Sequence, residues 1–512
     1  MKYGLLDVLL LTTLLAFGND VIAMVKPLDC VESEITSKQI RTLTSRKTIL
    51  EECEIEKAIA LASSLTIESE TTFVLHHAIA RGDIDKVKAL LDEGIDKEKQ
   101  NTSGFRPLHY AILKGHTPLV ELLVANRADP EAEAVGYRPL HLAAFVGNVD
   151  ILRILLQAGV LRDPIHKESG YIPLHTAVKN GHSSIVNLLL TPLEPFSIQN
   201  ASGLSKIGAA WKSWFPKIAN INARSNNDYT PLHIAAVMGN SVIIKILLGR
   251  GALIESPDDK GFRPVHHAIR NGELAAAALL MEHGADIEAQ DNEYQHNALY
   301  LAVRYGYLEI AQLLLQKKPH LREWSGQGAT PLQCAAYYGN LAMIELLLKH
   351  GADINERGRY NYTALHVASE RSCSAARLLL EYGAAFATKH PRGIEPLTAA
   401  VLAGNVSLVL LFIEKGADYQ IRTEGSSLLH YAAEYGHTSL VELFIKHGLA
   451  VDARNSEKFS PLHLAVLNRR GDCIQILRAH GARVDARALE LARQRGFSEI
   501  SQVLLEHRFS VQ

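Results

Sequence analysis

Thr230-Pro231-Leu232-His233-Ile234-Ala235-Ala236 is the clearest copy of a phrase that recurs along this chain. Behind it come Gly239-Asn240, then Ile243-Ile244, then Ile246-Leu247-Leu248, then Gly251-Ala252. Indexed on its leucine or the equivalent residue, the phrase falls at Leu75, Leu108, Leu140, Leu174, Leu232, Val265, Leu299, Leu332, Leu365, Leu397, Leu429, Leu462 and Leu489. Successive gaps lie between 32 and 34 residues, except for one of 58 and a last one of 27. A fixed period of this length marks a stacked repeat architecture. It predicts thirteen units, the last one shortened.

Each unit reads as two short helices. Pro231 suits a first helical turn, where its missing N–H costs nothing. Leu232, Ala235 and Ala236 give the first helix a face of small residues, and Gly239 can take the left-handed conformation that ends it. Ile243 to Leu248 carries apolar residues at helical spacing and forms the second helix, which Gly251 ends. A polar stretch leads to the next unit. So small a unit cannot bury its apolar face alone, and neighbours must stack.

The same phrase stands as Arg106-Pro107-Leu108-His109, Arg138-Pro139-Leu140-His141-Leu142-Ala143-Ala144 and Ser460-Pro461-Leu462-His463-Leu464-Ala465. A Gly-Ala-Asp closing a unit occurs at Gly284-Ala285-Asp286, Gly351-Ala352-Asp353 and Gly416-Ala417-Asp418. In these residues the chain resembles the ankyrin repeat family over roughly residues 71 to 507. The resemblance implies an all-α solenoid of about thirteen helix-turn-helix units with hairpin-like loops and a concave binding face. It also implies a protein that binds other proteins and has no catalytic activity of its own.

Composition agrees with a soluble array: 47% of residues are apolar. The formal net charge of -2 gives no electrostatic case for nucleic acid, which wants a basic surface. Of five cysteines, Cys334, Cys373 and Cys473 fall in or beside expected helices and read as buried thiols. Cys30 and Cys53 lie outside the array, and none of the five forms a CxxC pair.

Residues 1–23 hold Lys2 and an apolar run from Leu5 to Phe17, the pattern of a secretory signal peptide. Asp7 interrupts the run, so an uncleaved anchor and a buried helix remain open readings. Secretion or export is the expectation. Residues 24–70 read as an N-terminal helical cap, with Ile55, Ala58, Ile59 and Ala62 on one face. Units one to four occupy 71–190, and units five to thirteen, with a C-terminal cap, occupy 218–512. The insertion at 191–217 contains Trp211, Trp214 and Phe215 at helical spacing, with Lys206, Lys212 and Lys217 between and around them. Aromatic anchors of this kind serve as interface hot spots. A basic amphipathic helix can instead lie on a membrane, and the tryptophans can also fold back on the stack. Arg106, Arg138 and Arg263 stand where the family prefers Thr and are candidate loop contacts, with solvated loop arginines as the plainer reading.

No catalytic motif of the HExxH, GxxxxGK[ST] or GxSxG type is present, and no cofactor or metal site is expected. Nine histidines repeat at one place in nine units, which gives them an architectural explanation: hydrogen bonding that fixes the turn ahead of the helix. The expected function is a non-enzymatic scaffold for a protein partner. The alternative is an exported, toxin-like effector that meets a membrane through the N-terminal run or the insertion. Replacing Trp211 and Trp214 with Ala is expected to weaken partner capture at unchanged helical content by circular dichroism. Unchanged capture removes the insertion from the binding surface.

Overall fold

The computed structural model describes residues 74–192, 218–321, 328–358, 361–387, 394–423 and 425–506. The N-terminal run, the cap with Cys30 and Cys53, and the insertion with Trp211, Trp214 and Phe215 lie outside the described residues. Among the described residues, twenty-six helices pair into thirteen units. The described residues fall in two compact bodies, units one to six up to and including Glu293 and units seven to thirteen from Tyr294 onward. In each body, first helices pack on the first helices of neighbouring units and second helices on second helices. No described helix is long and apolar enough to cross a membrane.

Unit five shows why the phrase folds as it does. Thr230 is extended (φ -89°, ψ 164°) and caps the helix Pro231–Val237, with Pro231 in the first turn. Gly239 then takes φ 68°, and Asn240 caps Ser241–Gly249 by accepting the Ile243 N–H. Leu232, Ala235 and Ala236 are at most 1% exposed, as are Ile243, Ile244 and Leu247. The small alanines let neighbouring first helices approach closely, and the branched residues fill the space between the two helix layers.

Neighbouring hairpins are tied by one recurring bond. A side-chain oxygen near the end of one unit accepts the backbone N–H of the residue thirty or thirty-one positions on. Glu98 takes Asp129 N–H at 2.9 Å and Asn222 takes Leu253 N–H at 2.9 Å. Glu255 takes Asp286 N–H at 2.8 Å and Asn355 takes Ala385 N–H at 2.8 Å. A second ladder joins the turns between helices: His182 Nε2 donates to Phe145 O and His437 Nε2 to Leu402 O, each at 3.0 Å.

Where the phrase is irregular, the chain adapts locally. Unit seven has Lys318 in place of the closing Gly, and Lys318 itself adopts φ 53°. Unit nine lacks the Gly between its helices. There Ser372 is extended (φ -144°), ends Ala364–Arg371 and caps Cys373–Glu381, so no left-handed residue is needed. Unit four loses its Gly-Ala-Asp ending ahead of the insertion. The last carbonyls of the helix Ser183–Leu189 and its exit turn are taken by arginines instead. Buried Arg162 of unit three donates to Leu188 O, Leu189 O and Thr191 O, and Arg250 of unit five donates to Leu190 O. Two sequence expectations shift. Cys334 and Cys473 are buried, but Cys373 is half-buried because it opens a helix rather than facing the core. The final first helix, Ala486–Gln494, is capped at Asp485, so it starts two residues earlier than alignment on Leu489 places it.

Leu232→Ala is expected to lower stability by about 2–5 kcal/mol in denaturant unfolding of the full chain. Leu253, 59% exposed, should change stability by less than about 0.5 kcal/mol on the same substitution. Equal effects of the two would contradict this packing.

Candidate partner-binding face

The repeated histidine is a bridge between units. In unit five, His233 Nδ1 accepts the Thr230 N–H at 3.0 Å, and its Nε2 lies 3.2 Å from Phe262 O in unit six. A nitrogen that accepts an N–H carries no proton, so Nε2–H is the donor and the ring is neutral. The same reach joins His76 to Phe105 O, His109 to Tyr137 O, His141 to Tyr171 O and His175 to Tyr229 O. It continues from His266 to Ala289 O, His366 to Ile394 O and His430 to Phe459 O. His463, facing the terminal unit, reaches the Asp485 carboxylate at 3.0 Å. Gln333 replaces the histidine in unit eight with the same two bonds, from Thr330 N–H and to Tyr362 O. The sequence expectation of a turn-fixing histidine holds, and the structure adds the bond across to the next unit. Burial depresses these rings: His109, His141, His175, His266 and His430 titrate at about 4, and His233 at about 3.

The three candidate arginines are engaged within the hairpin ladder. Arg106 pairs with Glu98 at 2.9 Å and Arg138 with Glu131 at 2.7 Å. Arg263 pairs with Glu255 and lies 3.4 Å from Asp286. Each partner glutamate is also the one that accepts the next unit's backbone N–H. All three guanidinium groups are half-buried and hold carboxylates in place.

A surface of different character lies at the C-terminal ends of the first helices of units seven to nine. Five and six residues after the indexed leucine of these units stand Arg304-Tyr305, Tyr337-Tyr338 and Glu370-Arg371. The Tyr337 and Tyr338 rings meet edge-on at 5.1 Å. The Arg371 guanidinium sits over the Tyr337 ring at 5.0 Å, and Arg371 Nε lies 3.8 Å from Glu370. Tyr305 stacks near Tyr307 at 6.1 Å. Tyr305, Tyr337, Tyr338 and Tyr307 are all partly exposed. Burial raises the Glu370 carboxyl, with Arg371 opposing. Beneath, Tyr300 takes the histidine place and stacks on His296 at 4.6 Å. On the second helices of the same units, an open groove of about 580 Å³ runs past Leu308, Leu346, Lys349 and Tyr382. The sequence reading did not single out this tyrosine–arginine surface. Setting units side by side and comparing the positions five and six residues after the indexed leucine would have found it. Among the described residues no group of His, Cys, Asp and Glu has the arrangement of a metal site.

The ankyrin-repeat family model (three copies) matches residues 49–134, 133–200, 209–291, 258–323, 299–390 and 397–488. The chain belongs to the ankyrin repeat family. It is 28% identical over 183 residues to a transient receptor potential cation channel subfamily A member 1 homolog of Caenorhabditis elegans, covering 35% of this chain and 15% of that protein. It is 24% identical over 265 residues to putative ankyrin repeat protein L371 of Acanthamoeba polyphaga mimivirus, covering 50% of this chain and 34% of that protein. Over 185 residues it is 29% identical to putative ankyrin repeat protein YahD of Escherichia coli, covering 33% of this chain and 92% of that protein. The chain thus spans well under half the length of the nematode and mimivirus relatives. The human ASB11 ankyrin repeat domain aligns with a TM-score of 0.38 at 24% identity, over 48% of this chain and 97% of that one. Ankyrin repeats generally mediate protein–protein interaction and are generally non-enzymatic.

A histidine whose folded pKa lies below its unfolded value of 6.5 favours folding above that value. Stability should therefore fall as pH drops from about 6.5 toward 4, the value to which burial holds His175. His233→Gln, copying Gln333, should keep most stability at pH 7 and flatten that fall. Denaturant midpoints at pH 7.5, 5.5 and 4.5 check both, and an unchanged slope in the variant counts against the bridge.

Proposed function

We propose that the chain is a non-enzymatic scaffold that captures a protein partner on the tyrosine–arginine surface of units seven to nine. The observation that carries this reading is the grouping of Tyr305, Tyr337, Tyr338 and Arg371 at neighbouring helix ends. Tyr and Arg are enriched at interface hot spots. A tyrosine offers a large contact area for little conformational entropy, with a hydroxyl left for hydrogen bonding. Arg371 is already oriented by Tyr337 and Glu370, so it loses little freedom on meeting a partner. The helices beneath are held by the histidine and glutamine bridges, which gives the surface a rigid base. The Trp211, Trp214 and Phe215 segment would add an accessory contact.

A photo-crosslinking residue placed at Tyr338 should capture a partner from the native source, whereas one at Lys245 should not. With that partner purified, Tyr337→Ala/Tyr338→Ala should weaken binding by about 30-fold, the loss of one hot spot of about 2 kcal/mol. Binding as tight as wild type, with circular dichroism unchanged, sinks this reading.

A further inference from the structure

Charge is unevenly placed at the C-terminal end of the array. Residues 453–497 carry eight arginines and one lysine against four carboxylates, in a chain whose formal net charge is -2. Several of these charges are committed. Asp485 accepts from Arg454 at 2.9 Å, from His463 at 3.0 Å and from the Ala488 N–H at 3.0 Å. Glu490 accepts from Gln494 at 2.9 Å. Arg478 donates to Val503 O, and Arg487 lies over the Phe459 ring at 4.1 Å.

Arg483 lies 3.8 Å from Asp452, and four arginines stand at first-helix ends: Arg469, Arg470, Arg493 and Arg495. All are exposed, at the ends of the first helices Pro461–Leu467 and Ala486–Gln494. Those helices pack on each other, which sets their axes about 8–10 Å apart. Arg469 lies 5.5 Å from the Phe497 ring, joining the two helix ends. Arg470 Nε donates to Glu434 O at 3.1 Å, which holds its side chain toward unit eleven. Among the described residues, the one ion pair made by these four is Arg469–Glu499, at 4.0 Å with both side chains exposed. Arg469 also adopts φ 57°, where units ten and eleven have Gly404 and Gly436. One cation per helix end would complement the helix dipole; four on two adjacent helices exceed that need.

We propose that this arginine cluster binds an acidic, extended segment of a protein partner, its carboxylates received by the guanidinium forks. A protein segment fits better than nucleic acid. The cluster is local, the sequence pI is about 6.9, and Glu490 and Glu499 would interrupt a track of phosphates. The proposal stands apart from the docking surface of units seven to nine, so either can fail alone.

The test titrates the full chain with a labelled dodecapeptide of alternating Glu and Gly, read by fluorescence anisotropy. A Lys-Gly peptide, a single-stranded oligonucleotide of equal length and phosphatidylserine vesicles are run beside it. The Glu-Gly peptide should bind and weaken with added salt. Arg469→Gln/Arg493→Gln/Arg495→Gln should reduce its affinity about tenfold at unchanged circular dichroism. Arg153→Gln and Tyr337→Ala/Tyr338→Ala should leave it unchanged. Absence of peptide binding, or binding indifferent to the triple substitution, overturns the proposal. Tighter binding of the oligonucleotide or the vesicles through the same arginines overturns it in favour of phosphate.

Discussion

The structure depends on a neutral imidazole that bridges two repeats. His233 accepts the backbone N–H of its own helix cap and donates to the carbonyl that precedes the next cap. One side chain thus satisfies two backbone groups that would be buried unpaired, at a cost of about 1–3 kcal/mol each. Burial keeps the ring neutral, and neutrality lets one nitrogen accept while the other donates. A carboxylate or an ammonium could not do both. Gln333 can, because an amide also offers one acceptor and one donor, and it appears where the histidine is missing. Thr398, at the same place in unit ten, is too short to bridge, and its hydroxyl is buried without a partner.

Around that bridge the array repeats a few solutions to one problem: helix ends expose backbone groups that a neighbour must satisfy. Side-chain oxygens such as those of Glu98, Asn222 and Glu255 take the next hairpin's N–H groups. The arginines beside Glu98 and Glu255 hold those carboxylates in position. At the insertion, where the usual turn is lost, Arg162 and Arg250 replace it by donating to the free carbonyls. Stability is spread over the contacts between neighbouring units rather than held in one central core.

Much of this was legible in the chain. The thirteen units, the two helices in each and the architectural role of the histidine follow from period and residue type. The candidate surfaces were less legible. Arg106, Arg138 and Arg263 drew attention because they break the phrase, yet their place is within the hairpin ladder. Tyr305, Tyr337, Tyr338 and Arg371 break nothing, since the phrase leaves those positions free. They gain meaning only when residues about 33 positions apart come to lie side by side. The four C-terminal arginines likewise look like ordinary cap charges until their helix ends are seen to adjoin.

The sequence alone determined the fold and, up to the shortened last unit, the register, because a short apolar phrase at fixed spacing can be buried in essentially one way, by stacking on its own copies. Tertiary structure decided which charges are committed and which face outward, and which aromatic side chains share a surface. The physical reason is distance. An ion pair or a ring contact is settled by a few ångströms between residues from different units, and that separation exists only after the units have packed.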